Sequence, residues 1–390
     1  MSDNAPLLMI PGPTEFHTDI LNAMSHKGTS HVDPHFIECF SEAIKSTRDV
    51  FLASDGQPFI LSGSGTLGWD LTAANFIQPG DEALIVNTGY FGDRFGECLQ
   101  IYGVKVQHIN ANAPGDRPSV DSIVSAVKEN SNAKLLTITH VDTSTGVRMN
   151  LREVCEAVRS VSPDILIAVD GVCALAGEEL RMKDWDIDIY LTGSQKAIGV
   201  PSGLSITVIR PRALKVFNDY QAKEILPRSY YANVARWLPV MNAYEEKKPS
   251  YFATPAVNLV YALRVAYRIL LENGGMEERF KEHKNVATDF RNALRNIGYS
   301  FVPVKEEYAA YTMSAIRYPN LKDGITSDDF RGSCKKNGII TAGGLHSQIK
   351  AEYFRVGHMG LSTRESSHIK RAIDAITEAT KECGTNQTKL

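Results

Sequence analysis

Residues 187–196 read IDIYLTGSQK, an apolar run that ends in a lysine. A second run, ILIAVD at 165–170, ends in an aspartate. Lysine is rarely buried unless it has a partner or a chemical task, and ligands of open α/β sheets bind beyond the carboxyl ends of the strands. Asp170 and Lys196 at two such ends therefore predict a shared ligand site. On spacing alone, a helix-capping aspartate and an unrelated surface lysine are the simpler interpretation.

The segments around this pair predict the fold class. Four apolar, β-branched segments have the length and composition of buried strands: 135–140, 165–171, 187–193 and 204–210. Between the first two, LREVCEAVRSV at 151–161 has apolar residues at helical spacing. This alternation predicts an α/β fold with a mostly parallel sheet flanked by helices.

The character of the chain changes at EEKKPS, residues 245–250. A helical pattern follows at 257–271 and ends at Asn273-Gly274-Gly275, and shorter strand patterns come after it. We therefore predict a large domain at 21–245 and a smaller α+β domain at 246–390.

Composition limits the possible partners and compartments. The net charge of −3 gives no reason to expect nucleic acid or an anionic membrane as a partner, and no apolar run is long enough to predict a membrane span. The six cysteines have no C-x-x-C spacing, so we expect reduced thiols and no metal site. The start, MSDNAPLL, lacks the features of a secretory or mitochondrial leader. The last residues, TKL, differ at Thr388 from the peroxisomal signal S-K-L, so both a peroxisomal and a cytoplasmic location stay open.

Residues 62–66, SGSGT, lie between an apolar run and a helical pattern. Glycines and a helix N-terminus favour an anion, so Ser64, Gly65 and Thr66 predict a phosphate cup. A glycine-rich turn before a helix also occurs for steric reasons alone. Because the turn lacks the P-loop and dinucleotide-binding patterns, nucleoside triphosphates and Rossmann cofactors are disfavoured.

Pyridoxal 5′-phosphate explains this combination of a lysine, an acid and a phosphate cup. It needs a lysine for a Schiff base and an acid for its pyridine nitrogen. Tyr90 could stack on its ring and Ser144 could donate to a ring substituent, although both residue types are common in turns. Arg355, in the apolar strand pattern YFRVGH, needs an anion, which is either a substrate carboxylate or a structural acid.

Together these motifs resemble the class V aminotransferases of pyridoxal-phosphate fold type I, most of all the fungal alanine–glyoxylate and serine–pyruvate aminotransferases. The resemblance covers nearly the whole chain and rests on these segments: LLMIPGP, LSGSGTLGWD, HVDTSTG, VDGVCA, GSQKAIGVPSGLS, YFATPAVNL, AGGLH and FRVGHMG.

The resemblance implies a role for each site residue. Around the cofactor it implies Lys196 as the Schiff base, Asp170 at the pyridine nitrogen, Tyr90 and Val172 on the two ring faces, Ser144 at the ring hydroxyl, and Ser64, Gly65, Thr66 and Gln195 at the phosphate. It implies a homodimer in which Tyr251 and Thr254 reach the phosphate in the partner subunit. It also implies that Arg355 binds the substrate carboxylate and that the segment 1–20 places Gly12 near the substrate mouth.

The activity implied is ping-pong transfer of the amino group from L-alanine to glyoxylate, which gives pyruvate and glycine. Serine–pyruvate, serine–glyoxylate and hydroxykynurenine-type transaminases are alternatives. A cysteine desulfurase would need a mobile cysteine such as Cys334, but its segment resembles the end of an amphipathic helix. Gln195 and Tyr90 also stand where desulfurases carry histidines. A binding protein that kept the fold without the cofactor is a further alternative.

Overall fold

The computed structural model describes residues 5–385. The predicted peroxisomal signal at 388–390 lies outside these residues. The strands are β1 Leu7–Leu8, β2 Gln57–Ser62, β3 Glu82–Asn87, β4 Lys105–Asn110, β5 Leu135–Thr139, β6 Val141–Asp142, β7 Val147–Arg148, β8 Leu166–Asp170, β9 Ile189–Gly193, β10 Leu204–Ile209, β11 Met313–Arg317, β12 Ile339–Ile340, β13 Ala342–Gly343 and β14 Tyr353–Gly357. The helices are α1 Thr18–Met24, α2 Pro34–Phe51, α3 Leu67–Phe76, α4 Tyr90–Ile101, α5 Val120–Glu129, α6 Leu151–Val161, α7 Pro211–Ala222, α8 Val234–Glu245, α9 Val257–Leu271, α10 Gly275–Asn296, α11 Ser327–Lys336 and α12 Ser366–Cys383.

A seven-stranded sheet forms the centre of the molecule, with the order β2-β10-β9-β8-β5-β3-β4. Strand β10 runs antiparallel to both of its neighbours, and the other pairs are parallel. Every residue of β5, β8 and β9 is buried, as expected for strands covered by helices on both faces. The predicted α/β fold with a mostly parallel sheet is confirmed.

The helices cover the sheet with apolar faces that the sequence pattern indicated. In α6 the buried residues Leu151, Val154, Cys155 and Val158 recur at helical spacing. Helix α3 begins at Leu67, directly after the SGSGT turn, so that its N-terminus meets the carboxyl ends of the neighbouring strands.

A second apolar core forms around the small sheet β11-β14-β13 and the helices α11 and α12. The N-terminal strand β1 belongs to this core, because it pairs in parallel with β12 and the Gly357 N–H donates to the Met9 carbonyl at 2.9 Å. Helix α9 packs against α1 and α2 and contributes to the first core. The domain boundary near residue 245 stays a prediction.

No helix between residues 5 and 385 is both long and apolar enough to cross a bilayer. The same residues contain no group of three or more His, Cys, Asp or Glu side chains that could hold a metal ion. All six cysteines are free thiols.

Candidate active site

A cavity of about 140 Å³ lies at the carboxyl ends of the central strands, beside the N-terminus of α3. Larger grooves occur elsewhere on the surface, but this cavity contains both Asp170 and Lys196. The side chains and turns that line it are Ser64, Gly65, Thr66, Trp69, Phe91, Thr139, Val141, Thr143, Asp170, Val172, Cys173, Gln195 and Lys196. Seven of the predicted residues therefore meet in one place, although 132 positions separate Ser64 from Lys196.

The SGSGT turn forms one wall of the cavity. A Cβ on Gly65 would lie 2.5 Å from Val172 Cγ2 and 3.3 Å from the Gly193 nitrogen, so the turn has room only for glycine. Thr66 begins α3 without using its hydroxyl as a cap, and Gln195 Oε1 is buried with no hydrogen-bond partner among residues 5–385. A helix N-terminus with an uncommitted threonine hydroxyl suits a phosphate group, and the Gln195 side chain can donate to a phosphate only through its NH2 group.

Asp170 ends β8 with its carboxylate held in the cavity wall. The Val172 N–H donates to Oδ1 at 2.9 Å, and the Trp69 indole N–H donates to Oδ2 at 2.8 Å. The side chain is buried, and burial raises the pKa of Asp170 to about 6. Trp69 is a site residue that the sequence analysis did not assign, although it stands in the motif LSGSGTLGWD.

Lys196 extends from the end of β9 to the N-terminal segment. Its Nζ donates to the Pro11 carbonyl. Gly12 has φ +96°, and a Cβ there would lie 2.4 Å from Lys196 Cδ and 2.7 Å from Nζ. Burial lowers the pKa of the Lys196 ammonium, which favours the neutral amine that acts as a nucleophile or base. The predicted position of Gly12 at this site agrees with the geometry.

The structure favours the neighbour of the predicted ring-stacking residue. Tyr90 does not line the cavity. Its ring centroid lies 4.7 Å from Arg94 Cζ, so that the ring stacks against the Arg94 guanidinium. Phe91 lines the cavity instead. The cause is the start of α4, where the Phe91 and Gly92 N–H groups donate to Asp142 Oδ2 at 3.0 and 3.3 Å. These hydrogen bonds orient the start of α4 so that Tyr90 faces away from the cavity and Phe91 faces it.

The geometry also disfavours the predicted contact of Ser144 with a ring substituent. Its hydroxyl donates its proton to Asp142 Oδ1 at 2.6 Å and accepts the Tyr90 N–H at 2.9 Å, so it has no proton left to donate to a ligand. Thr143, one residue earlier, lines the cavity. Thr143 is therefore the hydroxyl that can reach a ring substituent.

Arg355 lies in β14 and does not line the cavity. Its Nε donates to the Gly343 carbonyl at 2.7 Å, and Nη1 donates to the Thr143 carbonyl at 3.3 Å. Burial lowers the pKa of Arg355. A buried guanidinium that is held by two carbonyls has donors left for a carboxylate from outside the chain.

Three further residues lie away from the cavity. Tyr251, which is 61 % exposed, and Thr254 are both at the surface and do not line it, so their predicted contact with a partner subunit stays a prediction. Cys334 is buried in α11, and burial raises its pKa to about 12. A buried thiol of this kind is neither mobile nor ionised, which disfavours the desulfurase alternative.

The sequence profile of the family Aminotransferase class-V matches residues 12–370. This chain belongs to the class V aminotransferases. It is 36 % identical to alanine–glyoxylate aminotransferase 1 of Saccharomyces cerevisiae over 96 % of this chain and 98 % of the relative. It is 26 % identical to serine–glyoxylate aminotransferase of Arabidopsis thaliana over 90 % of this chain and 85 % of the relative.

A crystal structure of alanine–glyoxylate aminotransferase from Nostoc sp. superimposes with a TM-score of 0.86 and 27 % identity, and the match covers 97 % of this chain and 96 % of that one. The protein is accordingly a pyridoxal-phosphate-dependent aminotransferase that acts on amino acids and 2-oxo acids. The cavity suits this cofactor, because it combines Lys196, Asp170 and the glycine-only turn at Gly65 that precedes the N-terminus of α3.

Proposed function

We propose that this protein is an alanine–glyoxylate aminotransferase, which transfers the amino group from L-alanine to glyoxylate and forms pyruvate and glycine. The observation that carries the proposal is the similarity to the yeast enzyme of that name, at 36 % identity and with 98 % of the relative covered. The cavity is consistent with small, uncharged donor side chains, because Lys196 is the one basic residue among residues 5–385 that lines it, and Arg355, which lies outside the lining, is assigned below to the α-carboxylate. A donor such as aspartate would need a second cation for its side-chain carboxylate.

We assign the cofactor contacts from the cavity walls. Ser64, Gly65, Thr66 and Gln195 would hold the phosphate, and Asp170 would accept a hydrogen bond from the pyridine nitrogen. Phe91 and Val172 would cover the two faces of the ring. When bound, pyridoxal phosphate supplies the electron sink that stabilises charge on the substrate carbon and carries the amino group between substrates.

Lys196 is the proton carrier in this proposal. Its amine is neutral more readily than a solvated lysine because burial disfavours the ammonium form. With the cofactor bound, the Nζ atom would remove the Cα proton of the amino donor as a general base and deliver a proton to the C4′ carbon of the cofactor in the same half-reaction, and the second half-reaction would reverse both transfers. The Pro11 carbonyl, which accepts from Nζ in the structure, offers the amine a resting position between these transfers.

Arg355 orients both substrates through the α-carboxylate that they share. Its planar fork can bind a carboxylate with two parallel hydrogen bonds, while the Gly343 and Thr143 carbonyls hold the guanidinium in place. Because every amino acid and 2-oxo acid carries this carboxylate, Arg355 positions the substrate but does not select alanine over serine.

We also propose a homodimer in which Tyr251 and Thr254 of each chain reach the phosphate in the partner's site. The exposure of both side chains supports this arrangement. Sedimentation of the purified protein measures the assembly. Location is a separate proposal: TKL directs the protein to peroxisomes, and a fluorescent fusion with and without residues 388–390 tests that signal.

The experiment that tests the activity follows the visible absorption of the cofactor-loaded protein. Alanine should convert the band of the lysine-bound cofactor, and glyoxylate should restore it, which demonstrates both halves of the ping-pong cycle. Lys196→Ala is the control, because it removes both the lysine that binds the cofactor and the proton carrier, so it should show neither the lysine-bound band nor its recovery with glyoxylate. If the band does not change with alanine but changes with serine, the alanine assignment is refuted. This protein would then have a serine–glyoxylate activity, as the name of the Arabidopsis relative states for that enzyme.

A further inference from the structure

Trp69 makes a direct hydrogen bond to the acid of the site. It is the third residue of α3, and its Nε1–H donates to Asp170 Oδ2 at 2.8 Å. The Val172 N–H occupies the other oxygen, Oδ1, at 2.9 Å. Each carboxylate oxygen can accept more than one hydrogen bond, so Asp170, which lines the cavity, still has acceptor capacity toward a ligand.

The indole is held in this orientation by packing rather than by any ligand. Its ring stacks on Phe95 with a centroid distance of 5.4 Å and an interplanar angle of 14°. Phe95 is fully buried and Trp69 is 6 % exposed. A Cβ on Gly68 would lie 2.7 Å from Leu191 Cβ, so the helix that carries Trp69 lies close against β9.

We propose that Trp69 is a positioning residue that keeps the Asp170 carboxylate ionised and aimed at the ring nitrogen of the cofactor. The inference rests on the role proposed above for Asp170. An indole N–H donates but neither accepts a hydrogen bond nor titrates, so it stabilises the carboxylate more than the carboxylic acid. Burial raises the pKa of Asp170, and the hydrogen bonds from Val172 and Trp69 oppose that rise.

Cofactor analogues test this role without turnover. Calorimetry on the cofactor-free protein gives the Kd of pyridoxamine 5′-phosphate and of its 1-deaza analogue, in which C–H replaces the ring nitrogen. Neither carries an aldehyde, so Lys196 forms no bond to them. The ratio of the two Kd values reports only the contact with the ring nitrogen, because losses common to both analogues cancel. The wild-type protein should prefer the nitrogen-containing compound, and Asp170→Asn should reduce that preference.

Trp69→Phe keeps an aromatic ring against Phe95 and removes the N–H. We expect this variant to lower the ratio of the Kd of the 1-deaza analogue to the Kd of pyridoxamine 5′-phosphate about tenfold. That change corresponds to about 1.4 kcal/mol. The matched control is Trp237→Phe. Trp237 is 2 % exposed and its Nε1–H donates to the Tyr231 carbonyl at 2.6 Å, so this variant also loses a buried indole hydrogen bond. It should leave the ratio unchanged.

The outcomes separate the two assignments. If Trp69→Phe weakens both analogues by the same factor while Asp170→Asn changes the ratio, Trp69 only packs the wall and the inference is wrong. If Asp170→Asn leaves the ratio unchanged, the proposed role of Asp170 fails and the inference fails with it.

A second measurement needs no change at position 69. The chain has three tryptophans, so ¹⁵N-labelled indole resonances of the cofactor-free protein can be assigned one by one. The Trp69 resonance should shift as Asp170 titrates, and Asp170→Asn should abolish that shift. An indole spectrum that does not respond to Asp170→Asn refutes the inference.

Discussion

Gly12→Ala should separate the chemistry of the site from the stability of the fold. The new methyl group would lie 2.4 Å from Lys196 Cδ and 2.7 Å from Nζ, whereas non-bonded carbon atoms prefer about 3.5–4.0 Å. Lys196 therefore has to move by about 1 Å, and a displacement of about 1 Å in an active site costs about 100-fold in rate. The φ of +96° at position 12 adds backbone strain of about 1–3 kcal/mol, partly offset by about 0.4–1 kcal/mol from the stiffer unfolded chain.

The matched control is Gly80→Ala. Gly80 has φ +86°, and a Cβ there meets no atom within 4 Å, so this variant carries the backbone strain without the contact. Stopped-flow absorbance gives the rate of the donor half-reaction, and urea unfolding gives the free energy of unfolding. Both variants should lose similar stability, but only Gly12→Ala should lose about two orders of magnitude in rate. A Gly12→Ala rate equal to that of Gly80→Ala would refute the contact between Gly12 and Lys196.

Three further predictions follow from the site geometry. Arg355→Ala should raise the KM of both substrates about 10- to 100-fold, since hydrogen bonds to charged groups contribute about 1.5–3 kcal/mol, and should leave the Kd of the cofactor nearly unchanged; an unaltered KM would make Arg355 structural. Phe91→Ala should weaken cofactor binding in calorimetry far more than Tyr90→Ala, and equal effects would contradict the assignment of Phe91 rather than Tyr90 to the ring face. Burial raises the pKa of Asp170 to about 6, so the folded cofactor-free protein keeps a proton that the unfolded chain has lost, and stability decreases as the pH rises through that range. An asparagine side chain does not titrate, so the unfolding free energy of Asp170→Asn minus that of the wild type should increase by about 1 kcal/mol from pH 5 to pH 7. If urea unfolding shows the same difference at both pH values, the pKa of Asp170 is not raised.

The sequence predicted those features that depend on local patterns. Helix α9 begins and ends at the predicted residues, Val257 and Leu271, because a run of apolar residues at helical spacing is closed by Asn273 and two glycines. Asp170 and Lys196 were placed correctly at strand ends, because parallel strands that are buried on both faces are almost continuously apolar.

The features that the sequence did not predict depend on distant contacts. Whether Tyr90 or Phe91 faces the cavity is decided by Asp142, which lies about 50 positions away and fixes the start of α4. The hydrogen bond from Trp69 to Asp170 joins residues 101 positions apart. No local pattern carries these pairings, so the sequence alone could not show that Phe91 and Thr143 line the cavity while Tyr90 and Ser144 do not.

The N-terminal strand has a mechanical consequence. It is fastened to the second core through β12 and Gly357, and within three residues of Met9 the chain passes the amine of Lys196 at Pro11 and Gly12. The N-terminal segment therefore connects the second core, which contains the small sheet, to the Lys196 amine. A displacement of the second core would therefore be transmitted to the Pro11 carbonyl, which accepts a hydrogen bond from Lys196 Nζ.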